Sequence, residues 1–287
     1  MADENFSEAR QKLERQRRRI QWMFGLHVAV YAAALGLLFV KQPLGIALGL
    51  VNAAYYLFLL RRQMKAYESA MARACVVYGL CAPWSDIGYT ERGNLTLRDL
   101  RELQLLPLHD TTEKSLLSLH GFTAAAGTLK IRGSELTLHY PARVGGRNSF
   151  QFLSGTLLTV WHPDNGSEAD SLLLARELLE PQAREAFLAQ CGYHPGETKL
   201  EGFSLYHHSP DTVLPETVAR CVEKLIKRCP TAAAVRFCRS GASIFFKGRF
   251  YTGRYRPNIA PAEGLLRQNG LPERDEAIAF FRFWSQL

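Results

Sequence analysis

The stretch IQWMFGLHVAVYAAALGLLFVKQPLGIALGLVNAAYYLFLL, from Ile20 to Leu60, decides the fold of this chain. It divides into two apolar segments, Ile20–Val40 and Pro43–Leu60, with no acidic residue in either and one basic residue, Lys41, between them. A helix needs about 20 apolar residues to cross the hydrocarbon core of a bilayer. The first segment reaches that length, and the second falls slightly short of it. We therefore predict a transmembrane helical hairpin whose two helices are joined by a short turn.

The basic residues of the chain are concentrated on both sides of this hairpin. The net charge is +8, yet the part of the chain after Lys65 is close to neutral. Cytoplasmic flanks of transmembrane helices carry an excess of Lys and Arg, so two basic flanks predict that both termini face the cytoplasm. We interpret these cations first as setting this orientation, with specific recognition of anionic lipid as the alternative. The flanking cations are Arg17, Arg18, Arg19, Arg61, Arg62 and Lys65.

Two polar residues, His27 and Asn52, interrupt the apolar segments at similar depths from their cytoplasmic ends. An unpaired polar group is costly in lipid, so we predict a hydrogen bond between them. Gly45, Gly49 and Ala53 recur at every fourth position, a spacing that lets helix backbones approach closely. The sequence leaves open whether these three residues contact the first helix of the hairpin or a second copy of the chain in a homo-oligomer.

The rest of the chain is predicted to be helical next to the hairpin and mixed beyond it. Residues 1–19 predict a basic juxtamembrane helix, and residues 61–81 a helical stalk leaving the membrane. Residues 82–287 predict a cytoplasmic α+β region with a mainly antiparallel sheet and packed helices. The six cysteines form no metal-binding spacing, and we interpret them as reduced, small buried side chains. No metal or cofactor site is predicted.

Several local patterns give this α+β interpretation its detail. Thr96 and Asp99 predict a capping box at the start of a leucine-rich helix within Trp84–Phe122. Arg132-Gly133-Ser134 predicts the turn of a β-hairpin, followed by a loop over Pro141–Ser149 and a strand over Phe150–Trp161. The later elements are a helix over Ser167–Gly192 broken at Pro181, a strand over Leu200–His207, a helix over Pro215–Arg228, a hairpin formed by Val235–Cys238 and Ala242–Tyr251, and a terminal helical region over Ala262–Leu287.

Residues 231–262 combine basic and aromatic residues without any Asp or Glu. This composition is typical of a surface that contacts anionic lipid or stacks nucleic-acid bases, and equally of a half-buried strand with basic outer positions. Nucleic acid is the less favoured partner because the soluble part of the chain as a whole is near neutral. The candidate lipid- or partner-binding cations are Arg236, Arg239, Lys247, Arg249, Arg254 and Arg256.

Standard catalytic motifs are absent from the sequence. The run from His207 to Asp211 contains His, Ser and Asp, but adjacent strand residues point to opposite faces and do not converge as a triad does. Cys191 and His194 sit in a pattern typical of a helix end rather than of a thiol–base pair. A membrane-tethered, hydrolase-like enzyme using Cys191 or His208 remains the alternative, and a pocket gathering two or more histidines with an acid would favour it.

Several segments resemble an uncharacterised bacterial membrane family known only as a domain of unknown function. The similar segments are Gly127–Tyr140, Phe152–Gly155, Lys199–Phe203 with Tyr206 and Ser209–Asp211, and Ala242–Tyr251. The resemblance implies a membrane location and a similar fold, and it supplies no catalytic residues. Together with the hairpin, it leads us to expect a membrane-anchored cytoplasmic module that binds a protein partner or an anionic lipid surface and is not an enzyme.

Overall fold

A computed structural model describes the chain except for residues 1, 82–83, 109–111, 145–146, 162–169, 211, 213, 239–240, 249–270 and 286–287. The described residues form two compact units. One is helical and ends at Gly79, and the other begins at Leu80 and is built on a sheet.

The helical unit consists of two long antiparallel helices. The first is α1, Ala2–Val40; the second contains α2, Gln42–Tyr55, and α3, Arg61–Ala74, linked by a π-helical segment at Tyr56–Leu60 and followed by another at Cys75–Leu80. At about 1.5 Å per residue, each helix is roughly 58 Å long. Among the residues that the structure describes, two helices, Phe6–Val40 and Gln42–Leu80, are long and apolar enough to cross a membrane by length and composition.

The turn between the two helices is a single residue, Lys41, whose carbonyl accepts hydrogen bonds from the N–H groups of Leu44 and Gly45. Pro43 lies in the first turn of α2, where the missing N–H of proline has no helical partner to lose. The predicted position of the turn is confirmed.

The helices stay together beyond the apolar segments. α1 contacts α3, and the rings of Phe6 and Tyr78 lie 5.5 Å apart near the far end of the pair. Leu13 on α1 and Met71 on α3 are buried. The segment that we predicted as a stalk is helical up to Leu80, but it is one half of a helical pair because the residues preceding Ile20 pack along it.

The sheet unit contains nine strands among its described residues. They are β1 Ser85–Arg92, β2 Leu116–Ala126, β3 Leu129–Val144, β4 Arg147–Trp161, β5 Ser171–Ala175, β6 His194–Gly196, β7 Phe203–His207, β8 Ala232–Cys238 and β9 Gly241–Lys247. They form one sheet in the order β1-β2-β3-β4-β9-β8-β5-β7-β6, and each pair of neighbouring strands is antiparallel. The predicted α+β class with a mainly antiparallel sheet is confirmed.

Helices lie on both faces of this sheet. They are α4 Leu97–Leu103, α5 Pro181–Cys191, α6 Glu216–Arg228 and α7 Leu271–Trp284. Phe237 of β8 contacts the rings of Phe280 and Trp284 on α7, whereas its neighbour Arg236 contacts the end of α4. Because adjacent strand residues point to opposite faces, α7 and α4 cover opposite sides of the sheet.

The hairpin predicted at Arg132-Gly133-Ser134 is wrong, because β3 runs straight through these residues. The turn lies instead at Gly127, which has φ +68° and joins β2 to β3. Gly133 serves close packing: a Cβ there would lie 2.3 Å from the Phe122 ring and 2.9 Å from Leu158. A glycine within a strand pattern marked a close approach rather than a turn.

Three further local predictions are corrected. Within the predicted helix over Ser167–Gly192, residues 171–175 form the fully buried strand β5, and the helix starts at Pro181 instead of breaking there. A short, wholly buried apolar run has no periodicity that separates strand from helix. The loop predicted over Pro141–Ser149 is largely strand, since β3 extends to Val144 and β4 begins at Arg147. The region over Trp84–Phe122 contains β1 and part of β2 in addition to its helix, whose predicted capping box at Thr96 and Asp99 is confirmed.

Candidate functional site

The polar pair of the helical unit is formed by two reciprocal contacts. His27 Nδ1 lies 2.9 Å from Asn52 Oδ1, and Asn52 Nδ2 donates to the His27 carbonyl at 3.1 Å. Because the amide nitrogen is committed as a donor, Oδ1 is the acceptor and Nδ1 carries the hydrogen. Asn52 is only 3% exposed, and the Tyr56 ring lies 5.1 Å from the imidazole. The predicted hydrogen bond between His27 and Asn52 is confirmed.

The small residues of α2 are used in different ways. A Cβ at Gly45 would lie 2.7 Å from the Leu38 backbone nitrogen and 2.9 Å from the Ala34 carbonyl oxygen, so Gly45 lets the two helices of the hairpin approach each other. Of the two contacts that the sequence left open for Gly45, the structure shows the one with the first helix of the hairpin. Gly49 has no atom within 4 Å of a Cβ position, and Ala53 is exposed. Contact of these two residues with another copy stays a prediction.

Large apolar side chains cover the outside of the helical pair between Trp22 and Leu59. In the described part of the sheet unit, by contrast, only Leu117, Phe152 and Trp161 are exposed large apolar residues. A core helix of a soluble protein buries such side chains, whereas this pair presents them to its surroundings. The exposed set is Trp22, Phe24, Leu26, Val28, Tyr31, Leu35, Leu38, Phe39, Val40, Leu44, Ile46, Leu50, Val51, Leu57, Phe58 and Leu59.

The cations that flank the apolar stretch are not equivalent. Arg17 is bound bidentately by Glu14, with Nη2–Oε1 and Nε–Oε2 distances of 2.5 and 2.8 Å, and its side chain is mostly covered. This hydrogen bond lowers the pKa of the Glu14 carboxyl. Arg18 reaches the same carboxylate at 3.3 Å but keeps most of its side chain exposed. The remaining members, Arg19, Arg61, Arg62 and Lys65, are exposed.

Arg236, predicted as a lipid- or partner-binding cation, is a buried residue of the sheet unit and only 8% exposed. Its Nη1 donates to the carbonyl oxygens of Glu102 and Leu103 at the end of α4, and its Nη2 lies 3.2 and 3.3 Å from the two Asp170 carboxylate oxygens. The guanidinium therefore binds α4 to the sheet. Its burial removes Arg236 from the cations that a lipid surface can reach.

Only one other member of that basic set lies in the described part of the chain. Lys247 is exposed, and its Nζ lies 3.5 Å from Glu177 Oε1. Arg239, Arg249, Arg254 and Arg256 lie outside the described residues. Binding of lipid or a partner by these cations stays a prediction.

Arg236 is surrounded by a network of polar side chains, and this network was not predicted from the sequence. His208 Nε2 lies 2.9 Å from Gln104 Oε1 and 3.9 Å from Asp170 Oδ2, and the Tyr193 ring stacks on the imidazole at 4.2 Å. Tyr193 donates its hydroxyl to the Gln104 carbonyl, and its burial raises the pKa of that hydroxyl well above the ordinary value. Gln104 ends α4 in the left-handed conformation. The network joins α4 to the strands, with members far apart in sequence and no shared motif.

The histidines do not gather into a catalytic arrangement within the described residues. His207 pairs with Ser171 at 2.7 Å, and His139 packs edge-on against Phe152 at 4.4 Å. Both members of the Ser171–His207 pair are buried, which denies access to a substrate, and burial lowers the pKa of His207. His194 is exposed, and His208 belongs to the Arg236 network.

The thiol of Cys191 is equally unsuited to nucleophilic attack. Burial raises its pKa, which disfavours the reactive thiolate.

A cavity of about 160 Å³ lies beside Arg236 and is bordered by Glu102, Trp161 and Ser243. The described residues that line it include no histidine. No group of three His, Cys, Asp or Glu residues suited to a metal ion occurs in the described part of the chain. The arrangement predicted for a hydrolase is therefore not assembled by these residues.

Comparison with known proteins adds little to this picture. No protein-family model matches the chain, and no curated protein matches it. The chain is similar to the crystal structure of the mycobacterial trehalose monomycolate transport factor A, TtfA, with a TM-score of 0.41 and 9% sequence identity, over 75% of this chain and 92% of that one. A likeness this distant carries no argument about function.

Proposed function

We propose that this protein is a membrane-anchored binding module and not an enzyme. The helical unit spans the bilayer as a hairpin with both termini in the cytoplasm, and the sheet unit binds a protein partner there. The observation that carries the proposal is the outward-facing apolar surface of the paired helices between Trp22 and Leu59.

The free energy of exposing this surface separates lipid from water as its surroundings. Leaving a large apolar side chain in water rather than burying it costs about 1.5–3 kcal/mol. Even at half that value for side chains that are only partly exposed, the whole set costs on the order of 10 kcal/mol in water, comparable to the stability of a domain. In lipid this cost disappears, and the polar groups of His27 and Asn52 are already paired with each other.

The orientation is supported by the charges at the two ends of the apolar region. Arg18, Arg19, Arg61 and Arg62 lie at one end, where both helices leave the apolar region, and Lys41 alone lies at the other. An excess of positive charge marks the cytoplasmic side of short segments, so both ends of the hairpin belong there.

A partner protein is supported by an exposed patch on the sheet unit. Leu117 of β2 and Phe152 of β4 lie on the same face, because Leu117 pairs with Thr137 and Phe152 with His139, two residues further along β3. Phe152 is 66% exposed and is braced by the edge-on His139 ring. Exposed apolar side chains near one another are typical of a protein contact where nearly all other large apolar side chains of the described residues of the unit are buried.

The location is tested with the full chain in native membranes. Alkaline carbonate washing should leave the protein in the pellet, and protease added to sealed inside-out vesicles should cleave tags at both termini. Release by carbonate, or protection of either tag, would contradict the hairpin.

The role as a binding module is tested by affinity capture from solubilised membranes with the wild-type chain and with the Phe152→Asp variant. Loss of a single stoichiometric partner in the variant supports the module, and capture unaffected by the substitution rejects this patch.

A further inference from the structure

We propose that two matched clusters of three cations on the helical unit bind the headgroups of anionic phospholipids. This inference rests on the proposed function and names the lipid chemistry that the hairpin recognises. It assigns lipid recognition to the helical pair rather than to the basic stretch that contains Arg236.

The first cluster lies on α1 and is marked by Trp22, which is 71% exposed. Arg19, Arg18 and Arg15 precede this tryptophan by three, four and seven residues, and all three are exposed. Residues at these spacings share one helix face. A tryptophan at the membrane interface with cations one and two turns further out places the ring at the headgroup level and the charges among the phosphates.

The second cluster repeats this pattern in reverse on the other helix. Phe58 is 74% exposed and is followed by Arg61, Arg62 and Lys65 at three, four and seven residues. The order of aromatic residue and cations is reversed along the chain because the two helices are antiparallel. The Tyr55 hydroxyl donates to the Met23 carbonyl at 3.4 Å, a contact that brings Phe58 and Trp22 to nearly the same level along the pair. Each cation of one cluster therefore has a counterpart at a similar level in the other.

Both clusters face outward. On α1, the buried residues Leu13 and Ile20 lie on the side opposite Arg15 and Trp22. On the second helix, the buried residues Leu60 and Tyr67 lie opposite the second cluster in the same way. The clusters therefore lie on the two outer sides of the hairpin, where lipids of the same leaflet are its neighbours.

The charge in these clusters is little compensated by the described residues of the helical unit. No acidic residue occurs in the sequence between Glu14 and Glu68. Glu14 pairs mainly with Arg17, which faces the other helix of the hairpin and belongs to neither cluster. The contact of Glu14 with Arg18, a member of the first cluster, is longer, at 3.3 Å. A cation at the surface of an anionic leaflet increases association with that leaflet by about fivefold. Three such cations on each side give the hairpin a preference for anionic over zwitterionic headgroups. Setting the orientation of the hairpin alone would not require this preference.

The test uses the full chain reconstituted in phosphatidylcholine vesicles that contain a minor fraction of phosphatidylglycerol, with the acyl chains of one or the other lipid brominated. Bromine quenches tryptophan on contact, and the Trp22→Phe variant isolates the Trp22 signal by subtraction. Brominated phosphatidylglycerol should quench Trp22 more strongly than brominated phosphatidylcholine at the same mole fraction. In Arg18→Gln/Arg19→Gln, this preference should fall by at least about fivefold.

A matched control removes the same charge elsewhere on α1. Arg10 and Lys12 are exposed and lie more than two turns from Trp22, so Arg10→Gln/Lys12→Gln should keep the preference. A reporter for the second cluster is obtained with Trp22→Phe/Phe58→Trp, in which Arg61→Gln/Arg62→Gln should act as the first pair does. Equal quenching by both lipids in the wild-type chain, or equal loss in the control, would overturn the headgroup sites while leaving the hairpin in place. Absence of quenching by either lipid would instead overturn the membrane location itself.

Discussion

The helical unit and the sheet unit treat their apolar residues in opposite ways. Between Trp22 and Leu59 the helices turn large apolar side chains outward and keep the pair His27–Asn52 between them. The sheet unit buries aromatic residues such as Phe237, Phe245 and Trp284, and among its described residues only Leu117, Phe152 and Trp161 are exposed large apolar side chains. One physical rule, the removal of apolar surface from water, gives both results if the two units have different solvents. The following substitutions test whether that is so, in order of decreasing expected effect.

The largest effect is expected inside the sheet unit, at Arg236. Arg236→Leu leaves the carbonyl oxygens at the end of α4 and the partly exposed Asp170 carboxylate without this donor, and each buried acceptor left unpaired costs about 1–3 kcal/mol. The midpoint of urea unfolding, followed by the fluorescence of the buried Trp284, measures this loss. Lys247→Leu is the control, because an exposed pair such as Lys247–Glu177 contributes at most about 1 kcal/mol. Equal effects of the two substitutions would contradict the burial of Arg236.

The comparison between the units is tested most directly by placing the same charge on each outer surface. Leu50 and Phe152 are 67% and 66% exposed. An arginine in the middle of a membrane helix costs about 2.5–3.5 kcal/mol, so Leu50→Arg should reduce the fraction of chain that resists carbonate extraction. Phe152→Arg should change neither extraction nor thermal stability appreciably. A Leu50→Arg variant that resists extraction as fully as the wild-type chain would mean that the side chain at position 50 does not face lipid.

An intermediate effect is expected from close packing within the hairpin. Gly45→Val drives a side chain into the backbone of Leu38 and Ala34, and such overpacking costs about 1–3 kcal/mol. Gly49→Val makes the same change in helix propensity, but its side chain enters open space. Unfolding of the full chain in micelles titrated with dodecyl sulfate should therefore distinguish the two variants. If Gly49→Val were the more damaging substitution, the tight contact of α2 would be with another copy of the chain.

The smallest effect is a pH dependence in the sheet unit. Burial lowers the pKa of His207 in the folded state, so the unfolded chain takes up a proton at higher pH than the folded one. Stability is therefore complete above the ordinary histidine pKa of about 6.5 and declines as the pH falls through it toward the folded value. Urea midpoints measured on both sides of that pH should diverge less in His207→Gln than in the wild-type chain. His194→Gln, which replaces an exposed histidine, should leave the divergence unchanged.

The sequence predicted the helical unit better than the sheet unit for a physical reason. Helical hydrogen bonds join residues that are near one another along the chain, and the length of an apolar segment can be counted in the sequence. The depths of His27 and Asn52 can be counted in the same way, and their pairing was predicted from those depths. Strand pairing depends on distant segments. Gly133 has the local signature of a turn, but Phe122 and Leu158 determine its role. Leu172 to Leu174 lie on a central strand whose two faces are both buried, which removes the alternation that marks a surface strand.

The candidate residues show the same division. The outward cations next to Trp22 and Phe58 follow from helix periodicity, which the sequence displays. The burial of Arg236 does not, because its partners Asp170 and Leu103 lie 66 and 133 residues away in the chain. A basic residue on a strand reads as an outer position until the helix that covers it is known, and the covering helix here is the short α4.

The fixed amide of Asn52 has a consequence for spectroscopy. A free neutral imidazole exchanges its proton between two nitrogens, but the Asn52 oxygen holds it on Nδ1 of His27 for as long as the helices stay paired. Nitrogen-15 labelling of histidine in oriented bilayers should then show a single tautomer of the neutral His27 ring, with the hydrogen on Nδ1. The ring thereby becomes a built-in gauge of whether the two helices are closed, readable without attaching any probe.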